Sequence, residues 1–136
     1  MAGGISLMLL LDTHTFIWLS SRPDQLPDRV LRTIENDMEG LFISSITAEE
    51  IGLLSNTGKI NTYGSVEKFI SKNLKQFGIH EIPVDVEIGL ASTQLPQIHR
   101  DPFDRILIAT AQLHKMTILT KDRVIPTYPK VRAVWE

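Results

Sequence analysis

Hydrophobic residues along this chain form short continuous runs separated by stretches of helical periodicity. The runs are typical of strands buried on both faces, and they predict strands at Met8–Leu11, Leu41–Ser44, Ile79–Pro83 and Thr117–Thr120, with Val131–Trp135 as the candidate for a fifth. The periodic stretches predict helices over His14–Leu19, Pro27–Met38, Thr47–Asn56, Ser65–Phe77, Val84–Ser92 and from the cap Asp101 to His114. Strands that alternate with helices indicate an α/β fold whose parallel sheet is covered on both faces.

Length and composition favour one ordinary globular domain spanning residues 1–136. The chain has 136 residues, of which 43% are hydrophobic, and it shows no internal repeat or linker. Its formal net charge of -2 provides no global positive field, so a polyanionic substrate would need a local device such as a bound cation. The sequence contains no cysteine, which excludes thiol catalysis, disulfides and cysteine-ligated zinc.

The apolar run Ile5–Leu11 is the only candidate for a membrane or export segment. It is far too short to span a bilayer, and no basic region precedes it as in a signal peptide. We therefore expect a soluble, cytoplasmic protein with no membrane partner.

Four acidic residues fall where a parallel sheet would bring them together. Asp12 directly follows the first predicted strand, and Asp122 follows the fourth by two residues. Glu50 and Asp104 lie in the first turns of two predicted helices. The carboxyl ends of parallel strands form the ligand-binding edge of such folds, so these four carboxylates should converge there. Crowded carboxylates share protons or bind a cation, and an all-oxygen site suits Mg²⁺ or Mn²⁺.

Each of these acids also has a purely structural interpretation. An aspartate before a helix accepts hydrogen bonds from the free N–H groups of the first turn, and a Thr-x-x-Glu or Asp-x-x-Asp pair resembles a capping box. The structural alternatives are Asp12 as a helix cap, Thr47 with Glu50 as one box, Asp101 with Asp104 as another, and Asp122 as a loop residue.

Helical geometry separates two adjacent glutamates. Residues three and four apart share a helix face, so Glu50 lines up with Ile46, Leu53 and Leu54 on the apolar side. A carboxylate on an inner face needs a partner, whereas Glu49 lies on a more solvated side. We therefore take Glu50 as the ligand and Glu49 as a surface acid.

With these pieces in place, the chain resembles the PIN-domain family, and in particular the VapC-type toxins of toxin–antitoxin pairs. The segments that carry the resemblance are Leu9–His14, Ser44–Ile51, Thr57–Ile60, His99–Ala111 and Leu119–Asp122. Asp101-Pro102-Phe103-Asp104-Arg105 is the most specific of them. The resemblance implies an α/β/α sandwich, a Mg²⁺- or Mn²⁺-dependent endoribonuclease, a cognate antitoxin and a homodimer.

The resemblance also implies roles for individual residues. Its acidic quartet corresponds to Asp12, Glu50, Asp104 and Asp122, as catalytic residues and metal ligands. Asp101 resembles an additional acid near the site, and the hydroxyls of Thr13 and Thr120 resemble positions that support it. The expected reaction is hydrolysis of phosphodiesters in single-stranded or looped RNA, with Asp12 and Asp104 as the best direct ligands.

Two other functions stay open. A phosphatase of the haloacid-dehalogenase type also places an aspartate after an apolar strand and uses Mg²⁺, but it needs a second aspartate where His14 stands here. A non-catalytic regulatory module, whose acids only stabilise the fold, is the other alternative.

Several further residues have two interpretations each. His14 and His99 lie near the predicted edge and are either structural or catalytic bases. The candidate phosphate contacts are Arg100, Arg105, Lys121 and Arg123, although Arg105 could instead pair with Asp101. We find no aromatic–basic stripe of the kind used by RNA-binding surfaces. The apolar positions Val30, Leu31, Ile34, Ile51 and Leu54 are either core or a docking surface for a partner helix.

Overall fold

The computed structural model describes residues 7–136, so the first residues of the run Ile5–Leu11 and of the predicted domain 1–136 lie outside the described part. Its strands are Leu9–Leu11 (β1), Leu41–Ser44 (β2), His80–Ile82 (β3), Thr117–Leu119 (β4) and Arg132–Val134 (β5). They form one sheet in the order β3-β2-β1-β4-β5, and every pair is parallel. The predicted parallel sheet is confirmed, with the fifth strand included.

Parallel neighbours require long crossover connections, and helices supply them here. The helices are Thr13–Ser21 (α1), Asp28–Asn36 (α2), Ile46–Asn56 (α3), Val66–Phe77 (α4), Val86–Thr93 (α5) and Pro102–His114 (α6). Short 3₁₀ turns lie at Pro23–Gln25, Met38–Gly40 and Ile125–Thr127. None of the helices within residues 7–136 is long and apolar enough to cross a bilayer.

The central strand β1 divides the interior into two cores. Its residues are fully buried, and successive side chains of a strand point to opposite faces. Leu9 and Leu11 belong to one core, which α1, α2 and α4 cover. Leu10 belongs to the other, which α5 and α6 cover. The expected three-layer α/β/α sandwich is therefore confirmed, and β1 ends in the middle of it.

Helix starts depend on which side chain reaches the first free N–H groups. The predicted start at Val84 is too early because Asp85 caps α5, accepting a bond from the Ile88 N–H at 2.8 Å. The structural alternative for Glu50, a capping box with Thr47, is wrong. The helix α3 begins at Ile46, and the Thr47 hydroxyl is buried without a hydrogen-bond partner.

The helix predicted to reach Met38 ends at Asn36. A tight turn at Met38–Gly40 follows and leads into β2. Glycine is required at the end of that turn, because a Cβ on Gly40 would lie 2.2 Å from the carbonyl oxygen of Leu7. The close approach of these two backbones brings the chain into register beside β1.

The apolar positions considered as a docking surface are interior. Val30, Ile34 and Ile51 are at most 3% exposed, and Leu31 and Leu54 are half-buried against the same core. The docking interpretation is therefore wrong for Val30, Ile34 and Ile51, and it stays a prediction for Leu31 and Leu54. Their helical spacing marks the faces that cover the sheet.

Candidate active site

Asp12 combines the structural and the functional interpretation. It is the N-cap of α1, where its Oδ1 accepts a bond from the Thr15 N–H at 2.8 Å. Its Oδ2 accepts a bond from the Thr120 hydroxyl at 2.6 Å. Because β1 and β4 are paired neighbours, Asp12 and Thr120 leave the sheet side by side. The carboxylate is fixed by both oxygens at the carboxyl end of the sheet.

Glu50 reaches the same edge from α3. Its Oε1 accepts a bond from the Thr13 hydroxyl at 2.5 Å, which ties α3 to the start of α1. Burial, more than any nearby charge, raises the pKa of Glu50, and the bond from Thr13 partly opposes that effect. Glu49 is exposed, as the helical face predicted.

Asp104 lies in the first turn of α6, behind the cap that Asp101 provides to the Phe103 N–H at 2.8 Å. The Asp104 side chain is 21% exposed. Burial raises the pKa of Asp104 to about 7, and the charges of Asp101, Asp122 and Asp12 add to that rise. A carboxylate in this position is costly unless a cation neutralises it.

Asp122 follows β4 in a loop that wraps around its carboxylate. Its Oδ1 accepts bonds from the backbone N–H groups of Val124 at 2.7 Å and Ile125 at 3.1 Å. Burial alone would raise the pKa of Asp122, but hydrogen bonds from His99 and from these two N–H groups outweigh it and hold the pKa below its ordinary value.

His99 joins the last two acids. Its Nε2 lies 2.8 Å from Oδ2 of Asp122 and 3.1 Å from Oδ2 of Asp104. Its Nδ1 accepts a bond from the Asp101 N–H at 3.1 Å, which assigns the proton of a neutral ring to Nε2. These three side chains offer ligand atoms that all lie within 4.8 Å of one another. Sequence spacing placed His99 near the edge but did not show that it bridges two acids.

A buried arginine organises the segment that carries His99. The guanidinium of Arg105 donates hydrogen bonds to four carbonyl oxygens, those of Ser92, Leu95, Pro96 and His99. Arg105 is only 9% exposed, and its guanidinium is already bonded to the backbone. It is therefore available neither to pair with Asp101 nor to contact phosphate, and both predictions for it are wrong. The Tyr128 hydroxyl also accepts the His99 N–H, at 2.6 Å.

The structure brings all four predicted acids to one open cavity of about 410 Å³. It is lined by Asp12, Thr13, His14, Trp18, Glu50, Asp101, Asp104, Lys121 and Asp122. Most of the charged residues that line the cavity are acidic. Their carboxylate oxygens are the ligand atoms that Mg²⁺ and Mn²⁺ prefer. The residues present therefore fit a hard divalent cation, and burial raises the pKa of Asp104 to about 7 when no cation is bound.

Sequence comparison relates this chain to known proteins. The PIN domain family model matches residues 9–131. Ribonuclease VapC22 of Mycobacterium tuberculosis is 30% identical over 132 residues, which cover 93% of this chain and 98% of that protein.

Solved structures share the fold at lower sequence identity. DNA-bound VapBC from Salmonella typhimurium is 18% identical with a TM-score of 0.67, covering 94% of this chain and 97% of that one. VapBC2 from Rickettsia felis, bound to a promoter DNA fragment, is 14% identical with a TM-score of 0.71, covering 94% of this chain and 98% of that one.

Proposed function

This chain belongs to the PIN domain family, and from that membership and the acidic cavity we propose that it is the toxin of a toxin–antitoxin pair, a metal-dependent endoribonuclease. The observation that carries the proposal is the meeting of Asp12, Glu50, Asp104 and Asp122 in one open cavity. The haloacid-dehalogenase and non-catalytic alternatives gain no support from the family match.

The site is proposed to hold Mg²⁺ or Mn²⁺ through the four carboxylates, with Asp12 and Asp104 as direct ligands. When bound, such an ion would lower the pKa of a coordinated water and would neutralise charge on the phosphate. Glu50 and Asp122 complete the set, either on the ion or by orienting the attacking water. Each of the four carboxylates accepts a hydrogen bond or lies within reach of a ring nitrogen, so their oxygens are oriented before any ligand arrives.

The proposed partners are RNA as substrate and a cognate antitoxin as inhibitor. Structures with this fold include VapBC toxin–antitoxin complexes. A single domain would carry the activity, in the cytoplasm where RNA substrates are present, and a homodimer is part of the proposal. Co-expression with the small protein encoded beside this chain should give a co-purifying complex without nuclease activity. Purification of the chain alone, with full activity, would reject that pairing.

The experiment that tests the activity is cleavage of RNA by the purified chain, with Mg²⁺ or Mn²⁺ and then with a chelator. We expect cleavage that stops when the metal is removed. Asp104→Asn should lose at least about 100-fold in rate, because disturbing even the outer partners of metal ligands costs 10- to 100-fold. Full activity of Asp104→Asn in a folded protein would reject the site.

The adjacent glutamates supply a matched control. Glu50→Gln removes the charge of a half-buried side chain bonded to Thr13, whereas Glu49→Gln removes the charge of an exposed one. We expect the first variant to lose most of its activity and the second to retain it. The reverse result would place the wrong glutamate in the site.

A further inference from the structure

Aromatic rings form one wall of the acidic cavity. His14 and Trp18 line it together with the acids, four residues apart on α1. Their ring centroids are 5.4 Å apart at an angle of 56°. Trp135 follows at 6.3 Å from Trp18. The sequence showed no aromatic stripe because Trp135 comes from the other end of the chain.

The wall leads from the acids into a second cavity of about 370 Å³. Its lining includes Trp135 and three cationic side chains, Arg29, Lys121 and Arg123. Lys121 and Asp122 line both cavities, so the two cavities adjoin at these residues. Acids, aromatic rings and cations are thus gathered in two adjoining cavities.

This set of groups matches the chemistry of a single nucleic acid strand. Proteins bind unpaired bases by stacking them on aromatic side chains and bind the backbone through nearby cations. Trp18 is half-buried and packs against the core of the sheet, so its ring is fixed in place, while the His14 ring is exposed. The net charge of -2 provides no global positive field to hold RNA, so local groups such as these rings and cations are needed.

We propose that Trp18 and His14 stack the base of a nucleotide adjacent to the scissile phosphate, and that the strand continues past Trp135 toward Lys121 and Arg123. This inference rests on the proposed ribonuclease function and assigns to Trp18 and His14 the binding of one base of its unpaired RNA substrate. A paired base cannot leave its helix to stack on the wall without loss of its pairing energy.

Tryptophan fluorescence tests the proposal without disturbing the ring. The chain contains two tryptophans, so Trp135→Phe leaves Trp18 as the single reporter. In this protein, with Asp104→Asn added to prevent cleavage, a mixed-sequence single-stranded oligoribonucleotide should quench the fluorescence. An abasic ribose-phosphate strand of the same length should bind more weakly and quench little. Equal binding and equal fluorescence with both strands would overturn the proposal.

Substitutions at Trp18 provide the second measurement. Trp18→Ala should weaken RNA binding by about 5- to 150-fold, the range for loss of one stacked base. Trp18→Phe should recover part of that loss, and Mn²⁺ affinity should stay unchanged in both variants. A folded Trp18→Ala protein that binds RNA normally would reject the proposal; if that variant fails to fold, the comparison with the abasic strand decides.

The two hypotheses fail in different ways. Absence of RNA cleavage by the unmodified protein would reject the ribonuclease function. Metal-dependent cleavage together with identical binding of abasic and base-containing strands would reject only the stacking site.

Discussion

The acidic site has two sides that are built differently. On the hydroxyl side, Asp12 accepts a bond from Thr120 and Glu50 accepts one from Thr13. Hydroxyl groups are neutral donors, so they orient these carboxylates without neutralising them. Asp12 also caps α1, and this side therefore serves both the fold and the site.

On the histidine side, Asp104 and Asp122 share one imidazole. The Nε2 atom of His99 lies within 3.1 Å of an oxygen of each. The pKa of Asp104 is raised to about 7, chiefly by burial, whereas hydrogen bonds hold the pKa of Asp122 low. Negative charge is therefore most costly at Asp104. We therefore expect a bound cation to stabilise the protein mainly through the histidine side, while the hydroxyl side holds its carboxylates in fixed orientations.

The largest expected effect comes from neutralising one acid on each side. In chelator at pH 7.5, Asp104→Asn should raise the free energy of unfolding, by at most about 4 kcal/mol for a pKa displaced from 3.8 to about 7. Asp12→Asn should stay within about 1 kcal/mol, because asparagine caps a helix as well as aspartate. Denaturant unfolding of both variants measures the contrast, and equal effects would remove the distinction between the two sides.

Saturating Mn²⁺ should narrow the difference in stability between Asp104→Asn and the unmodified protein. A ligand that binds only the folded state stabilises it by about 2.7 kcal/mol at 100 times its dissociation constant. The unmodified protein should gain that stability, and Asp104→Asn should gain little. An equal gain in both would show that Asp104 is not a ligand.

The pH dependence of stability comes next, and its sign follows from the direction of each pKa shift. Asp104 holds its proton more tightly in the folded than in the unfolded state, so metal-free stability should fall as pH rises from about 4 to about 7. The raised pKa of Glu50 acts in the same direction. Asp122 acts oppositely, and its contribution is lost only as pH falls below about 4. Unfolding measured from pH 4 to 8 in chelator should show the decline, and Asp104→Asn should flatten it.

The outer partners of the acids should have unequal effects on metal binding. His99→Ala should weaken Mn²⁺ affinity by about 100-fold and Thr120→Val by about 10-fold, the two ends of the range for such partners. The reason is that His99 bridges two carboxylates, whereas Asp12 keeps its bond from the Thr15 N–H when Thr120 is changed. Calorimetric titration measures both affinities.

A conservative variant of His99 distinguishes loss of carboxylate positioning from a general loss of structure. His99→Gln keeps an N–H donor on a side chain of similar reach and should recover part of the affinity. The KM for RNA should change little, with the loss appearing in kcat. A larger effect at Thr120 than at His99 would contradict the comparison.

The sheet and the convergence of the four acids could be predicted from the sequence. Both follow from local apolar runs and from the general rule that parallel strands share one carboxyl edge. Apolar runs marked β1, β2 and β4, and the carboxyl ends of parallel strands share an edge. Helical spacing also separated Glu50 from Glu49. These inferences needed no knowledge of how distant segments contact one another.

Other features depend on such contacts and could not be predicted. The position of His99 depends on hydrogen bonds from the Arg105 guanidinium to four backbone carbonyl oxygens. These bonds follow no periodic pattern in the sequence, so they could not be predicted from it. The pairing of Trp18 with Trp135 joins the first helix to the last strand region. Thr47 and Glu50 have the residue types of a capping box, but the helix begins at Ile46, so Thr47 is not the capping residue.

The smallest expected effect tests whether the hydroxyl side is as rigid as its hydrogen bonds suggest. Gly52 lies within α3, two residues after Glu50, and a Cβ added there would have no heavy atom within 4 Å. Gly52→Ala should therefore stabilise the protein by about 0.5–1 kcal/mol, a rise in melting temperature of about 2–4 °C. Nuclease activity should be unchanged if Thr13 already fixes Glu50.

Gly89 offers the matched control, because it also lies within a helix, α5, with equally open space. Gly89→Ala should give a similar gain in stability at a helix that carries none of the four acids. If activity falls in Gly52→Ala but not in Gly89→Ala, catalysis requires movement of α3. The hydroxyl side would then be an adjustable part of the site, and the cation would be what fixes both sides.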